Sequence, residues 1–291
     1  MIIDVHTHLA DERVFSQSFL DGVVGDYPDA NLNPLILKAL IKKTLSDYDC
    51  KKFIAQMDEA GIDKSVLLMT DFGYEEDMNW EELFQRYLAV IKQYPDRIIP
   101  FWGCDCRREG NYKYEFEKSI KEYNFKGIKL YPPCGFDLND SKMLPYYEIC
   151  QSYNVPVLTH TGASNSDMYN EYDYIQQLGE VIKLFPGLKI IMAHVTTEGF
   201  EKRVEFCKQN RNVYCDLSAF QKEAGSDKLV KKLTILENEI PDQILFGTDW
   251  PLYSLMGTQK KWVDYFKNSQ FISEEFKEKI FSKNFLNIME N

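Results

Sequence analysis

Each of the four histidines in this 291-residue chain stands at or just past the end of a short apolar run. His6 and His8 follow Met1-Ile2-Ile3, His160 closes Val155-Pro156-Val157-Leu158-Thr159, and His194 closes Leu188-Lys189-Ile190-Ile191-Met192-Ala193. Asp249 follows a run of the same kind, Ile244-Leu245-Phe246-Gly247-Thr248. Unrelated packing histidines would not fall in one kind of place without exception. Short β-like runs that each deliver a ligand-type side chain at their end call for a fold that brings strand ends together.

Eight such runs occur: Ile2–His6, Ser65–Thr70, Ile98–Gly103, Gly127–Tyr131, Val155–His160, Lys189–His194, Asn212–Leu217 and Gln243–Thr248. Most are near-continuously apolar, as in strands of a parallel sheet covered on both faces. Helical patterns separate them. Glu81–Tyr94 spaces Leu83, Tyr87, Leu88 and Ile91 three and four apart. Tyr112–Tyr123, Leu144–Tyr153, Tyr172–Phe185, Phe200–Gln209, Lys228–Asn238 and Glu274–Met289 are similar. Eight strands alternating with helices predict an α/β fold, a (β/α)₈ barrel of TIM type, with a doubly wound open sheet as the alternative. No repeat or linker divides the chain, so residues 1–291 are expected to form one domain. In a barrel the active site forms at the carboxyl ends of the strands, which gathers His6, His8, Lys129, His160, His194 and Asp249 at one mouth.

The chemistry of these residues points to a metal. Side chains alternate along a strand, so Asp4, His6 and His8 are expected on one face. Two imidazoles so placed can chelate one cation, and a catalytic zinc uses about three protein ligands and an open position. Asp249 suits proton transfer beside such a centre.

Composition excludes several other classes. The formal charge of −11 argues against nucleic acid and anionic membranes as partners. No apolar stretch approaches membrane-spanning length, and no leader pattern precedes the first strand. Seven scattered cysteines fit reduced thiols and a cytoplasmic location, and Cys104-Asp105-Cys106 reads as structural. The expected partner is a small-molecule substrate, with a homo-oligomer left open.

Taken together, the motifs resemble those of the amidohydrolase superfamily, and within it the amidohydrolase-related (amidohydrolase-2) branch. Asp4-Val5-His6-Thr7-His8, Gly127-Ile128-Lys129-Leu130-Tyr131-Pro132, Leu158-Thr159-His160-Thr161-Gly162, Met192-Ala193-His194 and Phe246-Gly247-Thr248-Asp249-Trp250-Pro251 carry the resemblance. The terminal Ile280–Leu286 run with Asn284 completes it, in order along the whole chain. It implies a distorted barrel with a divalent metal, zinc by expectation, held by His6, His8, His160 and Asp249. It also implies His194 near the metal, either as a second-metal ligand or as a hydrogen-bonding polariser. Where members of the family are hydrolases, water activated by the metal attacks and the aspartate shuttles its proton.

Lys129 separates the subtypes. A strand-4 lysine carboxylated by CO₂ would bridge two metals; a free amine would bind a substrate carboxylate beside one metal, and this second role is expected here. A structural role stays open, because strand parity does not fix which way Lys129 points. The resemblance also admits non-oxidative decarboxylases of unsaturated or aromatic carboxylic acids, which often replace the first histidine and lack the lysine. His6 and Lys129 therefore lead to the expectation of a hydrolase acting on a C–N or C–O bond of a cyclic amide, ester or lactone, with decarboxylation as the alternative. A Schiff-base lyase with Lys129 as nucleophile leaves the histidines unexplained.

The connection from 10 to 49 is long for a first βα loop and is expected either to cap the site or to form a solvated insertion. It carries Arg13, Phe15, Phe19 and Tyr27 with a helical patch at Pro34–Leu45. Arg107 and Arg108 read as surface charges or anion contacts, and Trp102, Tyr131 and Trp250 as pocket walls or core.

Overall fold

The computed structural model of the protein describes residues 1–25, 33–72, 79–164, 168–169 and 173–290. In chain order the elements are β1 (Ile3–Thr7), α1 (Gln17–Gly25), α2 (Pro34–Thr44), α3 (Lys51–Ala60), β2 (Lys64–Leu68), α4 (Trp80–Gln93), β3 (Ile98–Cys104), α5 (Tyr112–Tyr123) and β4 (Ile128–Leu130). There follow α6 (Leu144–Ser152), β5 (Val157–Thr159), α7 (Tyr174–Leu184), β6 (Ile190–Met192), α8 (Phe200–Gln209), β7 (Val213–Asp216), α9 (Asp227–Glu239) and β8 (Ile244–Leu245). The chain ends with α10 (Gln259–Lys267), α11 (Glu274–Glu278), a π-helical turn at Lys279–Lys283 and α12 (Asn284–Glu290). The eight strands pair in parallel in sequence order. Val5 N donates to Phe246 O at 2.9 Å and Thr7 bridges Trp250, which brings β8 back to β1. The expected (β/α)₈ barrel is therefore the observed fold, nearly closed.

Apolar side chains segregate into two cores. Ile3, Val5, Val66, Leu68, Phe101, Leu158, Ile191, Ala193 and Leu245 fill the barrel interior together with Phe285 and Ile288 of α12. The other core lies between strands and helices. α12 closes the amino-terminal end of the barrel. Asn284 Nδ2 donates to Pro241 O at 2.9 Å and to Ile244 O at 2.8 Å, and Lys189 Nζ donates to Ile288 O at 2.6 Å. With that end plugged, access lies at the opposite mouth.

β1 departs from regular alternation, and this corrects the expectation that Asp4, His6 and His8 share a face. Asp4 pairs with Ser65 but Thr7 pairs with Leu67, so one extra residue is accommodated in β1 as a bulge. Ile3 and Val5 point into the barrel, the bulge then turns His6 to the same side, and Asp4 faces outward toward α10. Buried Asp4 accepts hydrogen bonds from Thr248 N (2.9 Å), Thr248 Oγ1 (2.5 Å), His6 N (3.2 Å) and Gln259 Nε2 (3.1 Å). Burial pushes its carboxyl up to about 6 against the pull of those donors. The side chain staples β1 to the β8 loop. Asp4→Ala should orphan buried donors and destabilise the protein by about 3 kcal/mol. Urea denaturation checks this, and a loss under about 1 kcal/mol would remove the staple from the account.

Three helices, α1, α3 and α10, lie outside those expected from periodicity, and α3 and α10 pack on each other. α3 and α10 are short and lysine-bearing, and Trp262, Val263 and Phe266 make only a narrow apolar stripe on α10. Residues 26–32 of the expected cap, Tyr27 among them, and the expected helix start Tyr172 lie outside the described residues. Among the described residues no disulfide joins the cysteines, all of which are buried, and no helix is long and apolar enough to cross a membrane.

Candidate active site

At the carboxyl mouth, His6, His8, Lys129, His160, His194 and Asp249 all line one cavity of about 150 Å³. His6 lies within β1 and His8 just past it, His160 follows β5 directly, and His194 lies two residues past β6. Lys129 is central in β4, where its register partner Leu158 belongs to the barrel interior, so its side chain points inward. Its amine lies 3.5 Å from His6 Nε2. That excludes the outward-facing structural reading.

His6, His8 and Asp249 place one ligand atom each within 4.8 Å of one another, and His6, His194 and Asp216 form a second such trio. Asp249 Oδ1 lies 3.5 Å from His6 Nε2 and 3.2 Å from His8 Nε2. It is buried and accepts no hydrogen bond from the described residues. His160 joins neither trio; it meets the cluster through Nδ1, 3.2 Å from His194 Nε2.

The backbone is bent to present these groups. His194 (φ 65°) and Asp249 (φ 54°) are left-handed, a conformation costing a non-glycine residue about 1–3 kcal/mol and tolerated where surrounding bonds impose it. Asp249 N donates to His6 O at 2.8 Å, His8 N to Trp250 O at 2.7 Å, and His194 N to Asp216 Oδ1 at 3.1 Å. Gly247 lets the strands approach: a Cβ there would stand 2.9 Å from His6 Cβ.

Burial controls the charge states. It pulls His8 down to about 4, against the pull of the Asp249 carboxylate 3.2 Å from its Nε2. It pulls His194 down to about 3, and His160 well below the ordinary imidazole value. It also lowers Lys129 to about 8, opposed by the charges of Asp249 and Asp216. Asp249 is pushed up by burial, but His6, His8 and His194 outweigh that and hold it well below the usual carboxylate range. His160 Nε2 sits 2.8 Å from Gly162 O, a pure acceptor, so Nε2 carries the hydrogen and Nδ1 is a lone pair. His6 Nδ1 sits 2.7 Å from Asp216 Oδ2, so a neutral ring carries its hydrogen there and turns the Nε2 lone pair to the cavity. Imidazole lone pairs and an orphaned carboxylate oxygen thus face one another, a donor set that suits a divalent cation.

Asp216 and Ser218 belong to this network and are absent from the residues singled out above. The signal was present: Asp216 is an acid in the apolar run Val213-Tyr214-Cys215-Asp216-Leu217, in the position the histidines hold elsewhere.

The walls are largely aromatic and apolar, with Ser164, Thr197 and Lys222 among them. Phe19 and Val23 come from α1, and Phe72, Tyr131, Leu252 and Met256 from strand-end loops. The Phe19 and Phe72 rings lie 4.7 Å apart and those of Phe72 and Tyr131 4.9 Å apart. Arg107 and Arg108 do not line the cavity; they pair with Asp105 and Asp71. Trp102 packs against Trp80 and Phe116, and Trp250 stacks on Phe53 at 4.3 Å.

Solved structures share this architecture. A dihydroxybenzoic acid decarboxylase from a Polaromonas species, with manganese and 2-nitroresorcinol bound, is 18% identical (TM-score 0.69; 99% of this chain and 96% of that one). A 5-carboxyvanillate decarboxylase from Novosphingobium aromaticivorans, with manganese and 4-hydroxy-3-methoxy-5-nitrobenzoic acid, is 15% identical (TM-score 0.71; 100% and 96%). A 4-oxalomesaconate hydratase from Rhodopseudomonas palustris is 18% identical (TM-score 0.65; 99% and 95%). These likenesses correct the expected hydrolysis of a C–N or C–O bond in favour of its alternative, because the same barrel carries decarboxylases of aromatic acids and a hydratase. The physical reason is that a strand-end imidazole–carboxylate cluster with a nearby amine does not dictate which bond breaks; the loops do. The family model described as amidohydrolase matches residues 3–284, nearly the whole chain, and the protein belongs to that family, in its amidohydrolase-2 group.

Proposed function

We propose that the protein is a metal-dependent, non-oxidative decarboxylase of a small aromatic or unsaturated carboxylic acid. The observation that carries this reading is the cavity itself, ring-sized and walled by Phe19, Phe72 and Tyr131 beside the ligand cluster. Lys129, which by resemblance spoke for a hydrolase, serves here as the amine, 3.5 Å from His6 Nε2, that meets a substrate carboxylate. A cavity of about 150 Å³ is the size that admits one benzene ring. The likeness to decarboxylases of hydroxylated benzoic acids supports the same substrate class.

His6, His8, His160 and Asp249 would hold one divalent ion, and the bare Asp249 Oδ1 fits that role. Bound there, the ion would supply positive charge that attracts carboxylate and phenolate oxygens. Zinc suits the imidazole-rich donor set, whereas manganese is the ion in two of the likenesses.

Lys129, as a free amine, pairs with the substrate carboxylate. Phe19, Phe72 and Tyr131 flank the ring and exclude water, which makes α1 part of a cap over the site. Asp249, ionised at rest, accepts a proton from the substrate hydroxyl and returns it to the ring carbon that bears the carboxylate. The C–C bond then breaks, CO₂ leaves, and its electron pair restores the ring. The net reaction consumes one proton per CO₂ released. His194 stays neutral and completes the polar floor.

CO₂ release from a panel of hydroxylated benzoic acids, 2,6-dihydroxybenzoic and 5-carboxyvanillic acids included, tests the reading. Wild-type protein should turn over at least one of them. Lys129→Ala should raise KM about tenfold or more for that acid while retaining metal. Native mass showing a carbamate on Lys129 between two metals would reassign the lysine, and no CO₂ from any acid would sink the function.

A further inference from the structure

We propose that Asp216 and Ser218 act as one positioning unit that sets the tautomers of His6 and His194 together, turning the bare Nε2 of both rings to the cavity. It rests on the metal-centre reading above only for what those nitrogens then bind.

All four side chains are buried. Asp216 Oδ2 lies 2.7 Å from His6 Nδ1, and Oδ1 accepts from His194 N (3.1 Å) and Ser218 N (3.0 Å). Ser218 Oγ also lies hard against Oδ1. A carboxylate brings no hydrogen, so the single hydroxyl hydrogen of Ser218 occupies that contact. Ser218 Oγ is then left as an acceptor, and His194 Nδ1, 2.8 Å away, donates to it. That sets the His194 Nε2 lone pair 3.2 Å from that of His160 Nδ1, two acceptors that a cation would join. His6 Nδ1, 3.1 Å from the same oxygen, shares its hydrogen between Asp216 and Ser218. One carboxylate therefore fixes two rings whose centroids lie 4.9 Å apart: His6 directly, and His194 through the serine. Carboxylate-to-imidazole bonds of this kind orient metal-binding rings and raise their basicity.

The two members should separate by substitution. In Asp216→Asn the amide can donate, Ser218 is released to donate to His194, and both rings can move their hydrogen to Nε2. In Ser218→Ala only His194 loses its partner, while His6 keeps the carboxylate.

The test is long-range ¹H–¹⁵N correlation of ¹⁵N-histidine-labelled, metal-free protein, followed by calorimetric titration with Mn²⁺ alone. Wild type should show His6 and His194 as Nδ1–H tautomers. Asp216→Asn should move both toward Nε2–H and weaken Mn²⁺ binding about 10- to 100-fold. Ser218→Ala should move His194 alone, and it carries the test if Asp216→Asn fails to fold. Unchanged tautomers in the folded variants would overturn the inference. Tautomers that shift as stated in a protein whose wild type binds no Mn²⁺ would uphold it and overturn the metal reading instead.

Discussion

Replacing both His6 and His8 by alanine is expected to strip the protein of its divalent ion, from about one per chain to background, and to reduce CO₂ release to the uncatalysed level. The two imidazoles are half of the proposed ligand set, and Asp249 Oδ1 faces both. With three or four ligands the ion is held tightly; with His160 and Asp249 alone the site offers two donors on loops. His8 and its partner Asp249 are buried, and burial keeps His8 neutral, ready to ligate without first losing a proton. The double variant should still fold, because the barrel interior below the site is filled by Ile3, Val5, Leu158 and Ala193 rather than by the histidines. Elemental analysis after dialysis checks the metal, and circular dichroism checks the fold. Stoichiometric metal in the folded double variant would show that the ligands lie elsewhere.

The second large effect is on turnover. Asp249→Asn keeps the side-chain shape and one oxygen donor but cannot take up a proton, so kcat should fall about 10²- to 10⁴-fold. Metal content should fall far less. Asparagine is the informative replacement because it tolerates the left-handed backbone that this position requires at φ 54°. The comparison is kcat per bound metal in the two proteins. Near-wild-type turnover in the metal-loaded variant would take the proton away from Asp249.

The barrel and the gathering of the histidines are legible in the sequence because strands buried on both faces read as apolar runs, and the ligand-type side chains interrupt them at their ends. What is hidden depends on register and partners. The β1 bulge turns His6 to the inner face while Asp4 stays on the outer one, and nothing in Asp4-Val5-His6-Thr7-His8 announces an extra residue. The direction of Lys129 follows from its pairing with Gly103 and Leu158, a relation between distant segments. Asp216 stands at a strand end, but its role appears only when His6 and His194 close on it from two other places in the chain, with Ser218 two residues on. Arg107 and Arg108 show the converse: their neutralisation by Asp105 and Asp71 removes them from the site, and only the fold reveals the pairing with Asp71.

Decarboxylation at this centre is read most directly from the fate of the ring carbon in D₂O. Metal-loaded protein incubated with the hydroxylated benzoic acid that it turns over should release one CO₂ and place one deuterium on the carbon that carried the carboxyl group, read by ¹H NMR and mass spectrometry. Metal-stripped protein should do neither. Solvent ¹⁸O incorporated into a hydrolysed product without CO₂ release, or deuterium placed equally well by the stripped protein, would contradict decarboxylation at this centre.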